Sequence, residues 1–463
     1  MQKILIAGAS GFIGRALIKS LQQETNLEVV ALSREEKQSS QPRLTWKKAD
    51  LFSLKDISEA MEGCDQAIYL VHSMLPSASL VQGTFYDMDL ILADNFARAA
   101  KARGIKHVVY LGGLLPLEQH NLSWHLKSRL EVEQCLQGCA PKVTILRAGM
   151  VLGREGSSFT IMRRLVERLP VMLCPRWTST RSHPIDLEDL LKVFLSTLTD
   201  ESVQGEVWDV GGPREMTYLD MMKTAATSLG KKPIIIPVWA FSPKFSRFWV
   251  TLVTGAPKAL VYPLVLSLRH PMLMRKDRAF PRKDLMKTSF EDSLKRLVPQ
   301  DEGDVHAFHT PVVLRAPKHV RSVQRLILPK NKNAQWVADE YFLWLPRFFS
   351  FIIRTQVEGT LCRFYFIHPK ITLLLLDKSI ERSSPDRQLL YIRGGLLAKR
   401  ADRGRLEFRE VLDKNYILAA IHDFRPSLPW MIYKWTQAVV HLIVMHAFGA
   451  HLLKIEKLQK DKS

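Results

Sequence analysis

Gly8-Ala9-Ser10-Gly11-Phe12-Ile13-Gly14 follows an apolar β-rich run at 3–7 and opens an amphipathic stretch at 12–22. A glycine triplet alone is a weak signal. Placed between a strand and a helix at the start of a βαβ pattern, it is a strong one. Gly8 permits the tight turn, Gly11 lets backbone approach a pyrophosphate, and Gly14 lets helix and strand pack closely. The helix N-terminus then presents N–H groups and the positive end of its dipole to phosphate.

Outward from that turn, buried-strand runs recur at 28–33, 44–49, 66–71, 106–111 and 142–147, with amphipathic segments such as 85–103 between them. Strand–helix alternation predicts a parallel sheet covered on both faces, hence a doubly wound α/β domain. Helical stretches at 159–168, 187–197 and 218–229, with a strand at 206–210, predict a smaller substrate lobe. The end of the second strand selects the cofactor, because an acid there bonds a ribose hydroxyl and an Arg accommodates a 2′-phosphate. It reads Ala31-Leu32-Ser33-Arg34, which favours NADP(H) over NAD(H), with Arg15 in support.

The 463 residues, 46% hydrophobic and 24% charged, exclude a disordered chain, a collagen-like repeat and a polytopic membrane protein. The net charge of +20 is uneven: residues 1–230 hold 26 basic and 26 acidic side chains, 231–290 hold 12 and 2, and 301–463 hold 26 and 16. No basic run with interleaved aromatics or reader motif accompanies it, so no nucleic acid is expected as a partner; an anionic membrane surface or acidic ligand fits better. Five cysteines without a CxxC pair suit a reducing compartment, and Cys135 and Cys139 read as semi-buried thiols. The start runs directly into a strand rather than a basic-then-apolar leader, and the expected location is the cytoplasm, with a peripheral place on the inner membrane face as the extension.

Residues 248–268 are nearly uncharged, but Gly255, Pro257 and Pro263 argue for two buried or interfacial helices rather than one span. The basic run 269–287 beside them suits an anionic lipid surface or a merely solvated face. Residues 290–315 read as a linker, and its His306 and His309, near Asp304, read as ordinary linker histidines rather than a metal site. Short strands at 387–393, 405–411 and 416–424 precede a long apolar helix at 430–457, whose only polar stripe is Lys434, Gln437 and His441. A helix packed across an antiparallel sheet often leaves an apolar cavity. Three regions result: 1–240 for the Rossmann domain and lobe, 241–310 for the apolar and basic segment with linker, and 311–463 for an α+β domain.

The blocks GASGFIGR, VVALSR, KADLFSLKDISEAMEGCDQAIYLVHS, VVYLGG, ILRAGMVLG, HPIDLEDL and VWDVGGPREMTYLDMM resemble, in order, the atypical and extended short-chain dehydrogenase/reductases, in their NmrA-like and complex I accessory-subunit-like branches. The resemblance spans about residues 1–240. It implies a dinucleotide under the loop that holds Gly8, Ser10, Gly11, Phe12, Ile13 and Gly14, with Asp50 and Leu51 near the adenine and Val71, His72 and Ser73 along the ribose. RSVQRL, PDRQLLYIRGGLL, GRLEFREV and IHDFRPSLPW resemble an uncharacterised bacterial domain (DUF2867-like) that follows such units. The layout there is similar to START or helix-grip domains.

Catalytic members of that superfamily use a Ser after the fifth strand and a Tyr-x-x-x-Lys on the next helix, where Lys lowers the Tyr pKa and Tyr exchanges a proton with substrate. Here the strand ends in Gly112-Gly113, His125 stands at the Tyr position and Arg129 at the Lys position. His125 can exchange protons near neutral pH, and Arg129 can hold a ribose hydroxyl or an oxyanion without titrating. The alternative is that this helix only positions the cofactor. Two function classes follow: an NADPH-dependent reductase of an apolar quinone- or lipid-like molecule, or a non-catalytic NADPH-binding sensor, scaffold or assembly factor at a membrane complex.

Overall fold

Ile4, Leu5, Ile6 and Ala7 are all fully buried, and they alternate. Ile4 and Ile6 join a core with Leu17, Ile18 and Phe194, while Leu5 and Ala7 join another with Ile57, Phe96 and Val132. A strand whose successive side chains enter opposite cores must lie inside a sheet covered on both faces. The computed structural model shows that sheet; it describes residues 1–72, 80–118, 120–238, 243–298, 319–350 and 352–461, with backbone alone for 243–247.

The chain divides into two units, 1–75 with 92–312, and 76–91 with 313–463. The first holds a seven-stranded sheet in the order Val207–Val210, Lys142–Ala148, His107–Gly113, Gln66–Tyr69, Gln2–Ala7, Leu27–Ser33, Leu44–Lys48. Every neighbouring pair is parallel. Strand order reverses between Gln2–Ala7 and Gln66–Tyr69, the switch point at which doubly wound sheets bind ligands.

The lobe packs the helices Ser157–Arg168, Tyr218–Ser228 and Phe290–Leu297 around Phe159, Met162, Met221, Phe290 and Leu294. Residues 290–297 are therefore a helix of this lobe rather than linker; Ser289 caps it by accepting Asp292 N–H, and Phe290 and Leu294 are buried beneath it. The uncharged stretch forms two helices, Pro243–Thr254 and Lys258–Ser267, joined through Gly255 at φ +67°. Val250, Ala256, Val261 and Val265 are buried against Ile161 and Leu165. The first unit thus includes 243–298, the described part of the segment that the sequence set apart at 241–310. His306, His309 and Asp304 lie outside the described residues.

The second unit is an eight-stranded sheet ordered Ile353–Glu358, Leu361–Phe366, Thr372–Lys378, Arg387–Gly394, Arg405–Val411, Tyr416–Phe424, Val320–Ile327, Leu80–Gln82. Its pairs are antiparallel except the last. The helices Ala334–Phe348 and Gln437–Lys460 contribute to the apolar core on one face. Where a cavity was expected between helix and sheet, Tyr341, Trp344, Phe408 and Phe448 pack ring to ring, Tyr341 to Phe448 at 5.1 Å. The long helix is also not continuous. Thr436 turns at φ −121°, ψ −87°, and its hydroxyl donates back to the Ile432 carbonyl at 2.6 Å, closing the helix Trp430–Trp435 before Gln437–Lys460 begins.

On the strand Arg405–Val411, Leu406 and Phe408 join that apolar core, while the alternate residues Arg405, Glu407 and Arg409 are buried charges. Burial alone would raise the Glu407 carboxyl, but the guanidiniums of Arg409 and Arg387 outweigh it and hold the carboxyl well below the usual carboxylate range. Arg387 Nε donates to Glu407 at 2.6 Å and Arg409 Nε at 2.9 Å. A depressed carboxyl contributes stability that is present at neutral pH and lost only as pH falls through its lowered value. Glu407→Gln removes that charge at every pH and leaves two buried cations facing an amide. The expected loss is about 3–5 kcal/mol by denaturant unfolding at neutral pH.

Candidate active site

The turn after the first strand is built as its glycines require. Gly8 sits at φ +90°, and a Cβ there would lie 3.0 Å from the Leu70 carbonyl carbon. A Cβ on Gly14 would lie 2.3 Å from the Gly8 oxygen and 2.7 Å from the Ala9 Cα, so helix and strand meet with no room for a side chain. Gly11 N–H donates to Gly8 O at 2.9 Å, and Gly11 is the N-cap of Phe12–Leu21 with no side-chain cap. A helix N-terminus uncapped by any side chain, above a cradle that a Cβ would fill, fits the pyrophosphate of a dinucleotide.

Around that turn the other candidates take distinct places. Ser10 is exposed, and Ile13 lines the cavity described below. The Phe12 ring packs where Gly153 and Gly156 leave space for it. Arg15 bonds the Ser10 carbonyl and pairs with Glu155 beside the glycine turn. Arg34 is exposed at the end of Leu27–Ser33, and the Ser33 hydroxyl accepts Glu35 N–H at 3.2 Å. Asp50 accepts Phe52 N–H at 3.1 Å and the Leu51 carbonyl accepts the Asn95 amide at 2.9 Å, which shapes the turn before the helix Leu54–Ala60. Val71 packs on the core. Ser73 lies outside the described residues.

His72, His125 and Arg129 come together, joined by a residue that sequence reasoning missed. Ser123 caps the helix Trp124–Leu136 by accepting Leu126 N–H, which sets His125 and Arg129 one turn apart. Arg129 Nη2 lies 2.7 Å from His72 Nδ1, His72 Nε2 lies 3.1 Å from His125 Nε2, and His125 Nδ1 lies 3.0 Å from Ser267 Oγ. Ser267 in turn lies 2.9 Å from Ser123 Oγ and donates to the Pro263 carbonyl at 3.1 Å. A guanidinium only donates, and this fixes every proton along the chain. His72 accepts at Nδ1 and donates from Nε2; His125 accepts at Nε2 and donates from Nδ1 to Ser267. Both imidazoles are therefore neutral in this arrangement. A further proton on His125 Nε2 breaks the His72 bond.

This chain forms the polar corner of a cavity of about 320 Å³ that also borders Gly112 and Gly113 at the end of the fifth strand of the chain's alternating pattern. Its other walls are apolar, among them Ile161, Leu165, Met222, Val261, Leu264 and Val265. The uncharged stretch thus lines the chamber. Tyr218 also lines it, its phenol pushed up by burial and so protonated at neutral pH. The HPID block proves structural. His183 Nδ1 accepts Met274 N–H at 3.1 Å, and Asp186 caps Leu187–Thr199 while accepting the Ser293 hydroxyl at 2.7 Å.

Residues 8–167 match a family model described as NAD(P)H-binding. The chain is 32% identical over 111 residues to the auxiliary protein GraX of Staphylococcus aureus, a match spanning 24% of this chain and 36% of that protein. It is 23% identical over 220 residues to the uncharacterized sugar epimerase YhfK of Bacillus subtilis, over 45% of this chain and 93% of that protein. Among solved structures, a nucleoside-diphosphate-sugar epimerase of Staphylococcus aureus superposes with a TM-score of 0.52 at 15% identity, covering 64% of this chain and 100% of that one. The triphenylmethane reductase of Citrobacter sp. complexed with NADP(H) gives 0.51 at 15% identity, with the same coverage. The topology makes the first unit a Rossmann-like domain, and over residues 8–167 it is similar to NAD(P)H-binding domains.

Proposed function

We propose that the protein is an NADPH-dependent oxidoreductase acting on an apolar, quinone- or lipid-like substrate. The observation that carries this reading is the apolar chamber with a single hydrogen-bonded His72–His125–Arg129 corner. When bound, the dinucleotide supplies a hydride. The apolar walls exclude water and hold an acceptor by burial of its apolar surface. His125, its Nδ1 anchored on Ser267, takes a proton from solvent at Nε2, which releases the His72 bond, and passes that proton to the reduced oxygen. Arg129 keeps His72 Nδ1 unprotonated and places positive charge beside a developing oxyanion. Oxidation of NADPH by a panel of quinones and aldehydes tests the reading: rates should rise with the apolar character of the acceptor. Equal rates with small hydrophilic carbonyls would sink it.

The preference for NADPH rests on Arg34 standing where an acidic ribose ligand would select NADH. Arg34→Asp should weaken NADPH binding by about 10- to 100-fold and erase or reverse the preference. Equal affinities of the parent protein for the two cofactors, by fluorescence titration, would remove the claim.

A second reading is favoured by a specific observation. Ser, Tyr and Lys are replaced by Gly112-Gly113, His125 and Arg129, and the two histidines already satisfy one another. In that reading bound NADPH is structural or a redox signal, and the protein is a sensor, scaffold or assembly factor.

A further inference from the structure

From Trp435 to Leu453, 19 consecutive residues include no Asp, Glu, Lys or Arg; those from Gln437 onward lie in one helix and extend ~26 Å at ~1.5 Å per residue. Among the described residues, 430–460 is the stretch long and apolar enough to cross a bilayer. Its inward face argues against crossing. Tyr433, Ala438, Val444, Met445, Phe448 and Leu452 belong to the apolar core of the second unit. Polar groups on the same side are engaged there as well: His441 lies 3.2 Å from Ser322 Oγ, His451 2.7 Å from Glu340, and the Gln82 amide donates to the Ala438 carbonyl at 2.8 Å. Drawing this helix into hydrocarbon would leave those groups without their partners.

The outward face is apolar except for His446, and it is exposed among the described residues. Trp435 is 70% exposed and Ile443 55%, with Ile432, Val439, Val440 and Leu453 also exposed. Val439, Ile443, Ala450 and Leu453 repeat at the spacing of one helical stripe. Cations bound the stripe at both ends: Lys434, whose ammonium lies 5.4 Å from the Trp435 ring, and then Lys454, Lys457 and Lys460, all exposed. Of the acids nearby, Glu456 is already bonded to Lys330 N–H and Lys460, and Asp461 is exposed beyond the last turn.

We propose that this face docks the protein on an anionic membrane, the helix lying along the lipid–water interface with its apolar stripe in the acyl boundary, Trp435 at headgroup level and the lysines on acidic headgroups. Lysines at both ends of an apolar stripe complement an anionic lipid surface; against a second copy of the same face, those lysines would repel one another. This places membrane contact on the second unit; in residues 248–287 Val261, Leu264 and Val265 line the chamber while Phe248 and Leu252 are exposed.

The test is co-sedimentation of the full chain with vesicles of phosphatidylcholine alone or mixed with phosphatidylserine, at low and high salt. The proposal expects pelleting with the mixed vesicles, partial release by salt, and loss of about tenfold or more in partitioning for Val439→Asp/Ile443→Asp. Lys454→Glu/Lys457→Glu/Lys460→Glu should remove the phosphatidylserine dependence. Both variants change exposed positions, and unchanged circular dichroism and melting temperature confirm that they fold. A parent that stays in the supernatant, or an aspartate variant that pellets like the parent, overturns the proposal. So does a dimer in solution that Ile443→Asp dissociates without any vesicle binding, which assigns the face to a second copy. Resistance to carbonate extraction overturns the interfacial geometry.

Discussion

His125→Ala will lower the turnover of NADPH with an apolar acceptor by about 10²- to 10⁴-fold, the effect of losing a general acid, while the cofactor Kd stays nearly unchanged. His125 lies on the helix Trp124–Leu136 rather than on the glycine turn that fits the pyrophosphate, and its ring is held between His72 and Ser267. Removing the ring takes away the Nε2 that serves the reacting oxygen and leaves the phosphate cradle intact. Stopped-flow turnover and a binding titration on the same preparation separate the two quantities. If turnover is measurable and does not change, His125 is a bystander and the non-catalytic reading gains.

Gly14→Ala should nearly abolish dinucleotide binding. The added methyl would meet the Gly8 oxygen at 2.3 Å and backbone of Ala9 at 2.7 Å, and neither can move without opening the turn. Overpacking against backbone costs about 1–3 kcal/mol or more, and it falls on the very loop whose N–H groups would receive phosphate. An NADPH affinity reduced by about 100-fold, with a lower melting temperature, is the expected outcome. Gly63→Ala gives the contrast: its Cβ meets nothing within 4 Å, so the cost is that of φ +72° alone, about 1 kcal/mol, with binding unaltered. Parent-like NADPH affinity in Gly14→Ala would mean that the turn does not carry the cofactor.

The first unit was legible because its central strands, such as Gln2–Ala7 and Gln66–Tyr69, are buried on both faces and read as apolar runs, so they and the Gly8–Gly14 turn point the same way. Residues 290–297 were not, because Pro299, Gly303 and mixed charge nearby obscured the spacing of Phe290 and Leu294. In the second unit, 372–378 contains the run Leu-Leu-Leu-Leu, which periodicity alone cannot divide between strand and buried helix. The helix Ala334–Phe348 carries Pro346 inside it, a residue that weakens any helical reading. In the site, His125 and Arg129 follow from their places after the fifth strand. Their partners do not: His72 is 53 residues from His125 and Ser267 is 142 residues away, and only the folded chain brings them into one hydrogen-bonded line. The clue available was modest, since Ser267 is one of few polar residues in an otherwise uncharged stretch.

The most direct test of the central claim is a single-turnover measurement. The protein saturated with NADPH is mixed with an apolar quinone or long-chain aldehyde, and the absorbance of reduced nicotinamide is followed with hydrogen and then deuterium at the transferred position. A chamber that brings acceptor and hydride together predicts one equivalent of NADPH consumed per site, slower when deuterium is transferred, and almost no consumption in His125→Ala. Stoichiometric NADPH binding with no loss of absorbance against any acceptor in the panel would contradict the reductase account and leave the cofactor as a structural or signalling ligand.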